Sequence, residues 1–240
     1  MDNTLLNYMN KRFNELEKKQ VRGEKEAGPV ITISRDVGCG GLKISKALAE
    51  ELNKCVFCKQ WQVVSKEVLN ESAQELKIAP EKVSRLLTSN EHFTFEEILS
   101  AFTDKYYKSN KVILKTVKDV IRNFAIDGCC IILGRAGHII AADVENAVHI
   151  RLTAPLAWRV ESISASRNLS KADALKYIQE TGKERDLFRN YFVKGKGQED
   201  NFDLVINVSR FTTGQVVNLI KTAFDIKGIT EKMKKKVPFF

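Results

Sequence analysis

The sequence lacks any apolar run approaching the about 18 residues that a membrane-spanning helix requires. It also lacks the basic, apolar and small-residue pattern of a secretory signal peptide at its start. Its five cysteines cannot all pair with one another and do not form a disulfide framework of the secreted type. These absences predict a cytoplasmic protein that does not bind membranes.

Patterns of metal-binding and redox residues are scarce as well. Cys55 and Cys58 have C-x-x-C spacing, but neither a second cysteine pair nor a histidine pair follows at the spacing of a zinc site. The three histidines are scattered along the chain, and we read them as structural residues. The sequence therefore does not favour a zinc or thioredoxin-like site, and it leaves the metal ligands unknown.

Basic residues are in excess, with 39 Lys and Arg against 30 Asp and Glu and a net charge of +9. Most of this excess falls after residue 150. A basic half predicts an anionic ligand such as a phosphate, a nucleotide or a nucleic acid. The basic residues neither alternate with aromatic residues nor form a known reading motif, so nucleic acid is the least favoured of these ligands.

Short β-branched runs alternate with helical patterns along most of the chain. Helical periodicity is present at 43–52, 112–126, 156–192 and 216–224, and the region 61–108 reads as mostly helical with no strong strand candidate. Four runs predict parallel neighbours in one sheet: Val30–Ser34, Cys130–Leu133, Val148–Leu152 and Leu204–Asn207. This order predicts an α/β protein whose parallel sheet has about four or five strands, with a helical insertion between the first two.

A glycine-rich loop, Ser34–Gly41, joins the first predicted strand to the first predicted helix. Backbone N–H groups in such a turn, next to a helix N-terminus, can surround a phosphate. A Walker loop would continue with Lys and then Ser or Thr, but Gly41 and Leu42 stand at those positions. The loop therefore predicts a phosphate site without its usual cation, in which Cys39 serves as a small filler.

The loop segment ISRDVGCGG resembles the cytidylate kinase-like family of nucleoside monophosphate kinases. Three further segments match this family in the same order: Leu133–Ile140, His149–Ile163, and the stretch from Gly182–Phe192 to Phe202–Arg210. The resemblance covers residues 29–226. It implies a P-loop NTPase-like, three-layer α/β/α fold. It also implies transfer of the γ-phosphoryl group of ATP, with Mg²⁺, to a nucleoside monophosphate such as CMP or dCMP.

The resemblance also implies roles for particular residues. The donor nucleotide would be held by five residues of the loop: Ser34, Gly38, Cys39, Gly40 and Gly41. Arg135 follows a strand end and matches a family position that contacts the acceptor nucleotide, although Ala136 stands where the family has an aspartate.

Four cations are candidates for stabilising the transferred phosphoryl group. Arg35 is the first choice to replace the missing lysine, because a guanidinium at a strand end can grip phosphate oxygens, and Lys43 is the second. Arg185 and Arg189 are four residues apart on one helical face, in a segment that is similar to the arginine-bearing lid of nucleotide kinases.

We expect three regions along the chain. Residues 1–28 form an N-terminal helix and connector, residues 29–228 form the kinase-like domain, and residues 229–240 form a mobile basic tail. Within the domain, residues 58–110 form a helical acceptor-binding insertion and residues 183–200 form the lid.

Three other functions remain open. The chain could be a nucleotide-binding module with little turnover, because both Walker side chains are absent. It could be a kinase for another small acceptor, since fold does not dictate substrate. Nucleic-acid binding is the third, suggested by the basic composition alone.

Overall fold

The computed structural model describes residues 27–54, 60–65, 111–193 and 201–235. Several predicted features lie outside these residues and stay predictions: the N-terminal helix at 4–18, the Cys55 and Cys58 pair, most of the insertion 58–110, the lid loop at 194–200 and the last residues, 236–240.

Five strands form one parallel sheet in the described part of the chain. They are β1 (Val30–Arg35), β2 (Gln62–Val64), β3 (Cys130–Leu133), β4 (Ala147–Thr153) and β5 (Leu204–Asn207). Their spatial order is β2-β3-β1-β4-β5. Val30 of β1 pairs with Cys130 on one side and with Ala147 on the other. The prediction of four parallel neighbouring strands is therefore confirmed.

Helices cover both faces of this sheet. In chain order they are α1 (Gly41–Asn53), α2 (Lys111–Asp127), α3 (Gly137–Ile140), α4 (Leu156–Arg167), α5 (Lys171–Asn190), α6 (Thr213–Ile226) and α7 (Ile229–Lys235). Successive strand residues point to opposite faces, so each face has its own apolar cluster. One cluster joins the sheet to α2 and α3, and the other joins it to α1, α6 and α7. The result is the predicted three-layer α/β/α architecture.

The prediction that residues 61–108 are mostly helical is wrong at Gln62–Val64, which form β2 beside β3. Asn53 at the end of α1 fixes the entry to this strand. Its side chain accepts from the N–H of Trp61 at 2.6 Å and donates to the carbonyl of Trp61 at 3.1 Å. A three-residue strand is too short to produce a periodic pattern, so this long-range contact, rather than the local sequence, specifies it.

The predicted mobile tail is also corrected at its start, because Ile229–Lys235 form α7. Ile229 is buried, and Met233, one turn later, packs partly buried in the same cluster as α6. Lys232 bonds Glu145 at 2.7 Å. Two apolar residues at helical spacing are therefore enough to hold this lysine-rich segment on the domain.

A polar network runs from the buried Thr32 and His149 to the exposed Asp203 and Lys227 at the surface. Thr32 Oγ1 on β1 and His149 Nδ1 on β4 share a hydrogen bond of 2.7 Å. The N–H of His149 donates to Asp203 at 2.7 Å, and Lys227 at the end of α6 donates to Asp203 at 2.8 Å. These contacts connect β1, β4, β5 and α6.

In the described ranges, no helix is both long and apolar enough to cross a membrane.

We expect the free energy of unfolding to decrease in mild acid through His149. Burial lowers the pKa of His149 below its ordinary value of 6.5, and the charge of Lys227 lowers it further, against an opposing effect of Asp203. The unfolded chain therefore takes up a proton more readily than the folded chain. The contribution of His149 to the free energy of unfolding is complete above its ordinary pKa of 6.5. This contribution is lost as the pH falls through the lower pKa that His149 has in the folded protein.

His149→Gln should flatten this pH dependence, because the amide does not titrate. Urea unfolding of the two proteins between about pH 7 and pH 5 measures the difference in slope. Equal slopes would show that other groups govern acid sensitivity in this range.

Candidate active site

The loop between β1 and α1 turns on two glycines with positive φ. Gly38 has φ of 98° and Gly40 has φ of 63°. Gly40 is the N-cap of α1 and is exposed, and a Cβ added to it would meet no atom of the described residues within 4 Å. Gly40 is thus suited to the left-handed backbone and leaves open space in front of the helix.

The N-terminus of α1 presents backbone donors that have no partner within the helix. The first hydrogen bond into the helix runs from the N–H of Ile44 to the carbonyl of Gly40, at 3.1 Å. The N–H groups of Gly41, Leu42 and Lys43 precede it and have no intrahelical acceptor. Among the residues that the structure describes, no side chain caps this end of the helix. Such a helix terminus stabilises an anion through its N–H groups and its dipole.

Gly38 has a different role, because α4 lies directly against it. A Cβ at Gly38 would lie 2.9 Å from Cβ of Arg159 and 3.0 Å from the carbonyl oxygen of Arg159. Two side chains of α4 also bond the loop: Arg159 donates to the carbonyl of Val37 at 3.4 Å, and Ser162 donates to the carbonyl of Gly38 at 3.0 Å. The loop is thus fixed from the side of α4.

Arg35 lies at the carboxyl edge of the sheet, between two glycines. A Cβ added to Gly134, just after β3, would overlap Nη1 of Arg35. A Cβ added to Gly41 would lie 3.1 Å from Cγ of Arg35. The side chain therefore extends from the start of α1 toward the end of β3, across the crevice in which open parallel sheets bind ligands.

Arg135 follows β3 in a segment of three consecutive left-handed residues. Gly134, Arg135 and Ala136 have φ of 74°, 53° and 52°. This backbone is costly for the two residues that have side chains, by about 1 kcal/mol or more each. Arg135 is only 9% exposed, and its guanidinium carbon lies 5.3 Å from the ring centroid of Phe188 on α5. The arginine predicted to contact the acceptor is therefore buried next to the predicted lid helix.

The two predicted lid arginines differ in their surroundings. Arg185 donates to the carbonyl oxygen of Arg35 at 3.4 Å, so α5 reaches the end of β1. Arg189 instead pairs with Asp186, one turn earlier on the same helix, at 3.1 Å. Phe188, between them, is buried in the cluster that contains α2 and α3.

The other predicted residues are placed as follows. Ser34 is half-buried opposite Arg151 on β4, and Lys43 is exposed on the first turn of α1. Cys39 is buried, and burial together with the charge of Asp36 raises the pKa of its thiol to about 11. Cys39 is thus protonated near neutral pH, and its role as a small filler stays a prediction.

Sequence reasoning missed the contacts that hold the loop in place. Asp36 accepts from Arg151 at 3.0 Å and from Thr153 at 2.9 Å, which fixes the end of β1 to β4. Arg159 and Ser162 do the same from α4. Arg159 and Arg151 both fall in the segment His149–Ile163 that carries the resemblance, but no local pattern indicates their partners in the loop.

Metal ligands remain unassigned. Among the described residues, no group of three or more His, Cys, Asp or Glu side chains is arranged to hold a metal ion. Asp36 is the acidic residue within the loop itself, and both its carboxylate oxygens already accept hydrogen bonds.

A parallel sheet of order β2-β3-β1-β4-β5 with helices on both faces and a glycine loop between β1 and α1 defines a P-loop NTPase-like α/β protein. Within this class, the chain belongs to the cytidylate kinase-like family, whose family model matches residues 30–210. It is accordingly a kinase-like protein, and the resemblance read from the sequence is confirmed.

Similar solved structures include an uncharacterized protein from Eubacterium ventriosum, with 20% identity, a TM-score of 0.59 and coverage of 84% of this chain and 99% of that chain. A shikimate kinase from Bacteroides thetaiotaomicron has 11% identity and a TM-score of 0.45, with coverage of 82% of this chain and 98% of that chain. Among curated proteins, a uronate isomerase from Corynebacterium glutamicum is 28% identical over 113 residues, which are 47% of this chain. This chain spans about a fifth of that relative's length, since the match covers 21% of it.

The two glycines of the loop should differ in their tolerance of a methyl group. Gly38→Ala should lower the free energy of unfolding by about 2 kcal/mol or more, because it adds a clash with Arg159 to the strain of a positive φ. Gly40→Ala, the matched control, adds strain alone and should cost about 1 kcal/mol. Urea unfolding measures both. Equal losses would mean that the contact with α4 can relax.

Proposed function

We propose that this protein transfers the γ-phosphoryl group of ATP to a nucleoside monophosphate, with CMP or dCMP as the favoured acceptors. The observation that carries the proposal is that Arg35 extends from the start of α1 to the end of β3, with Arg185 of α5 bonded to its backbone and Arg135 directly following Gly134. Phosphoryl transfer depends mostly on positioning and on electrostatic stabilisation of the transferring group. This edge supplies both.

The glycine loop is the proposed site for the donor phosphates. The open space in front of Gly40 admits a phosphate, and the N–H groups of Gly41 and Leu42 would donate to its oxygens. Ser34, Gly38 and Cys39 shape the loop around this position. Cys39 is buried and Gly38 packs against α4, so neither residue fills the space in front of Gly40.

Arg35 is the proposed replacement for the missing Walker lysine. Its side chain starts beside Gly41 and its guanidinium reaches Gly134, so it spans the gap between the donor loop and the end of β3. A guanidinium is always charged and can bind phosphate oxygens in pairs. Arg185, which contacts the backbone of Arg35, would add charge from the lid helix. Lys43 and Arg189 are secondary candidates.

Arg135 is the proposed contact for the phosphate of the acceptor. It follows Gly134, which lies against the guanidinium of Arg35, and it is positioned by its left-handed backbone and the ring of Phe188. Bound Mg²⁺ would neutralise charge on the phosphates of ATP. With a single loop carboxylate, Asp36, the ion would depend on phosphate and water oxygens for most of its ligands.

A second candidate function is a nucleotide-binding module of the same fold with little or no turnover. Gly41 and Leu42 at the Walker Lys and Ser/Thr positions favour it. A phosphoryl-transfer assay over a panel of nucleoside monophosphates and other small hydroxyl-bearing acceptors, with and without Mg²⁺, distinguishes the candidates. Turnover on CMP or dCMP supports the first, turnover on another acceptor alone changes the substrate, and ATP binding without turnover supports the module.

Arg35→Ala should lower turnover by about a hundredfold, the scale for losing one oriented electrostatic group in the transition state. Steady-state kinetics with the best acceptor measures the loss. Arg122→Ala is the matched control, because Arg122 on α2 pairs with Asp143 away from the loop, and it should keep wild-type turnover. Near wild-type turnover in Arg35→Ala would move the role to Lys43 or to the lid arginines.

A negative charge at position 40 should weaken phosphate binding without unfolding the protein. Asp and Asn both tolerate left-handed backbone and both cap helices, so Gly40→Asp and Gly40→Asn should stay folded. The added carboxylate should weaken binding of an ATP analogue by about tenfold or more through repulsion, whereas the neutral amide should have a smaller effect. Titration calorimetry at low salt tests the pair. Similar affinities in the two variants would place the phosphates elsewhere.

A further inference from the structure

A third, small apolar cluster lies apart from the two that cover the sheet. It consists mainly of residues of the hairpin formed by α4 and α5: Ile163, Ala174 and Ile178 are buried in it, and Val160, Leu169 and Tyr177 pack around them. The one other member among the described residues is Val37, from the glycine loop, which is 5% exposed. The side chain of Val37 thus completes the hydrophobic core of the hairpin.

Polar contacts connect the same two parts of the molecule. Side chains of the hairpin donate to three carbonyl oxygens of the loop: Arg185 to Arg35, Arg159 to Val37 and Ser162 to Gly38. Arg159 also lies so close to Gly38 that a Cβ at position 38 would not fit between them. The hairpin therefore contacts three residues of the loop, Arg35, Val37 and Gly38, by packing and by hydrogen bonds.

We propose that Val37 is a positioning residue: through it the glycine loop holds the α4–α5 hairpin, and with the hairpin Arg185, in place. The apolar contact excludes water from Ile163 and Ile178, and this keeps α4 close enough for Arg159 and Ser162 to bond the loop carbonyls. With their carbonyls bonded to α4, the peptides that follow Val37 and Gly38 are fixed in orientation. The catalytic consequence of this arrangement rests on the proposed phosphotransferase function.

Hydrogen exchange of the protein without ligand tests the positioning directly, whatever the protein's reaction. Val37→Ala should accelerate exchange of the amides of residues 160–178 by about tenfold while β3 and β4 change less. Val216→Ala removes the same two methyl groups from a buried site on α6 and is the matched control. This control should accelerate amide exchange in the hairpin no more than in the sheet. Val37→Ile keeps an apolar contact and should restore slow exchange.

Unchanged hairpin exchange in Val37→Ala, or equal acceleration in hairpin and sheet, would overturn the proposal. A wild-type protein that transfers no phosphoryl group would refute the proposed function and leave this comparison intact.

Kinetics tests the consequence for the site in a protein that turns over. Val37→Ala should lower kcat by about tenfold through misplacement of Arg185, with a smaller change in the KM for ATP. Val37→Ile should recover most of kcat, and Val216→Ala should keep wild-type values. Loss of kcat to the same degree in Val216→Ala would assign the effect to general destabilisation and overturn the positioning role.

Discussion

The pairing of β1 with β3 on one side and β4 on the other is the interaction on which the rest of the structure depends. It places three strand ends side by side, so that the loop after β1, the left-handed turn after β3 and the start of α4 meet at one edge. The residues of the candidate site lie at the ends of these three strands, in the segments that follow them, or on α5. Helix α5 contacts the end of β1 through Arg185 and the turn after β3 through Phe188. The chemistry available at this edge therefore follows from strand order.

Several positive charges meet at this edge. Arg35 and Arg185 share a backbone contact, Arg135 is buried beside α5, and Arg151 lies beside the same loop. Asp36 balances Arg151, and Asp186 balances Arg189. Arginines gathered at a partly buried crevice give it a positive potential, which favours phosphorylated ligands over neutral ones of the same shape.

The sequence predicts the fold well where its signals are local and repeated. The runs Val30–Ser34 and Cys130–Leu133 are short and rich in β-branched residues, as is typical of covered parallel strands, and the glycines between β1 and α1 indicate the loop. Gln62–Val64 carries no such signal, because its strand conformation is set by Trp61 and Asn53 and by pairing with β3. Short segments of this kind are specified by tertiary contacts.

The same reasoning explains what could be predicted of the candidate site. Arg35, Arg135 and the loop glycines lie next to strand ends, so their neighbourhood follows from the topology. The partners of Arg159 and Ser162 are more than a hundred residues away along the chain, and an arginine on a helix has the same local pattern whether it bonds a loop carbonyl or faces solvent. Contacts of that kind become visible only once the helices are packed.

The position of the Arg35 side chain between Gly41 and Gly134 has a consequence for how this protein can vary. The three positions share one small volume, so a substitution at one changes what the others tolerate. A side chain at position 134 displaces the guanidinium while Arg35 is present, but a shorter residue at position 35 frees space for it. The three residues should therefore change together or not at all. A relative that has lost the arginine at position 35 should tolerate a side chain at position 41 or 134, and it would need its positive charge from another residue.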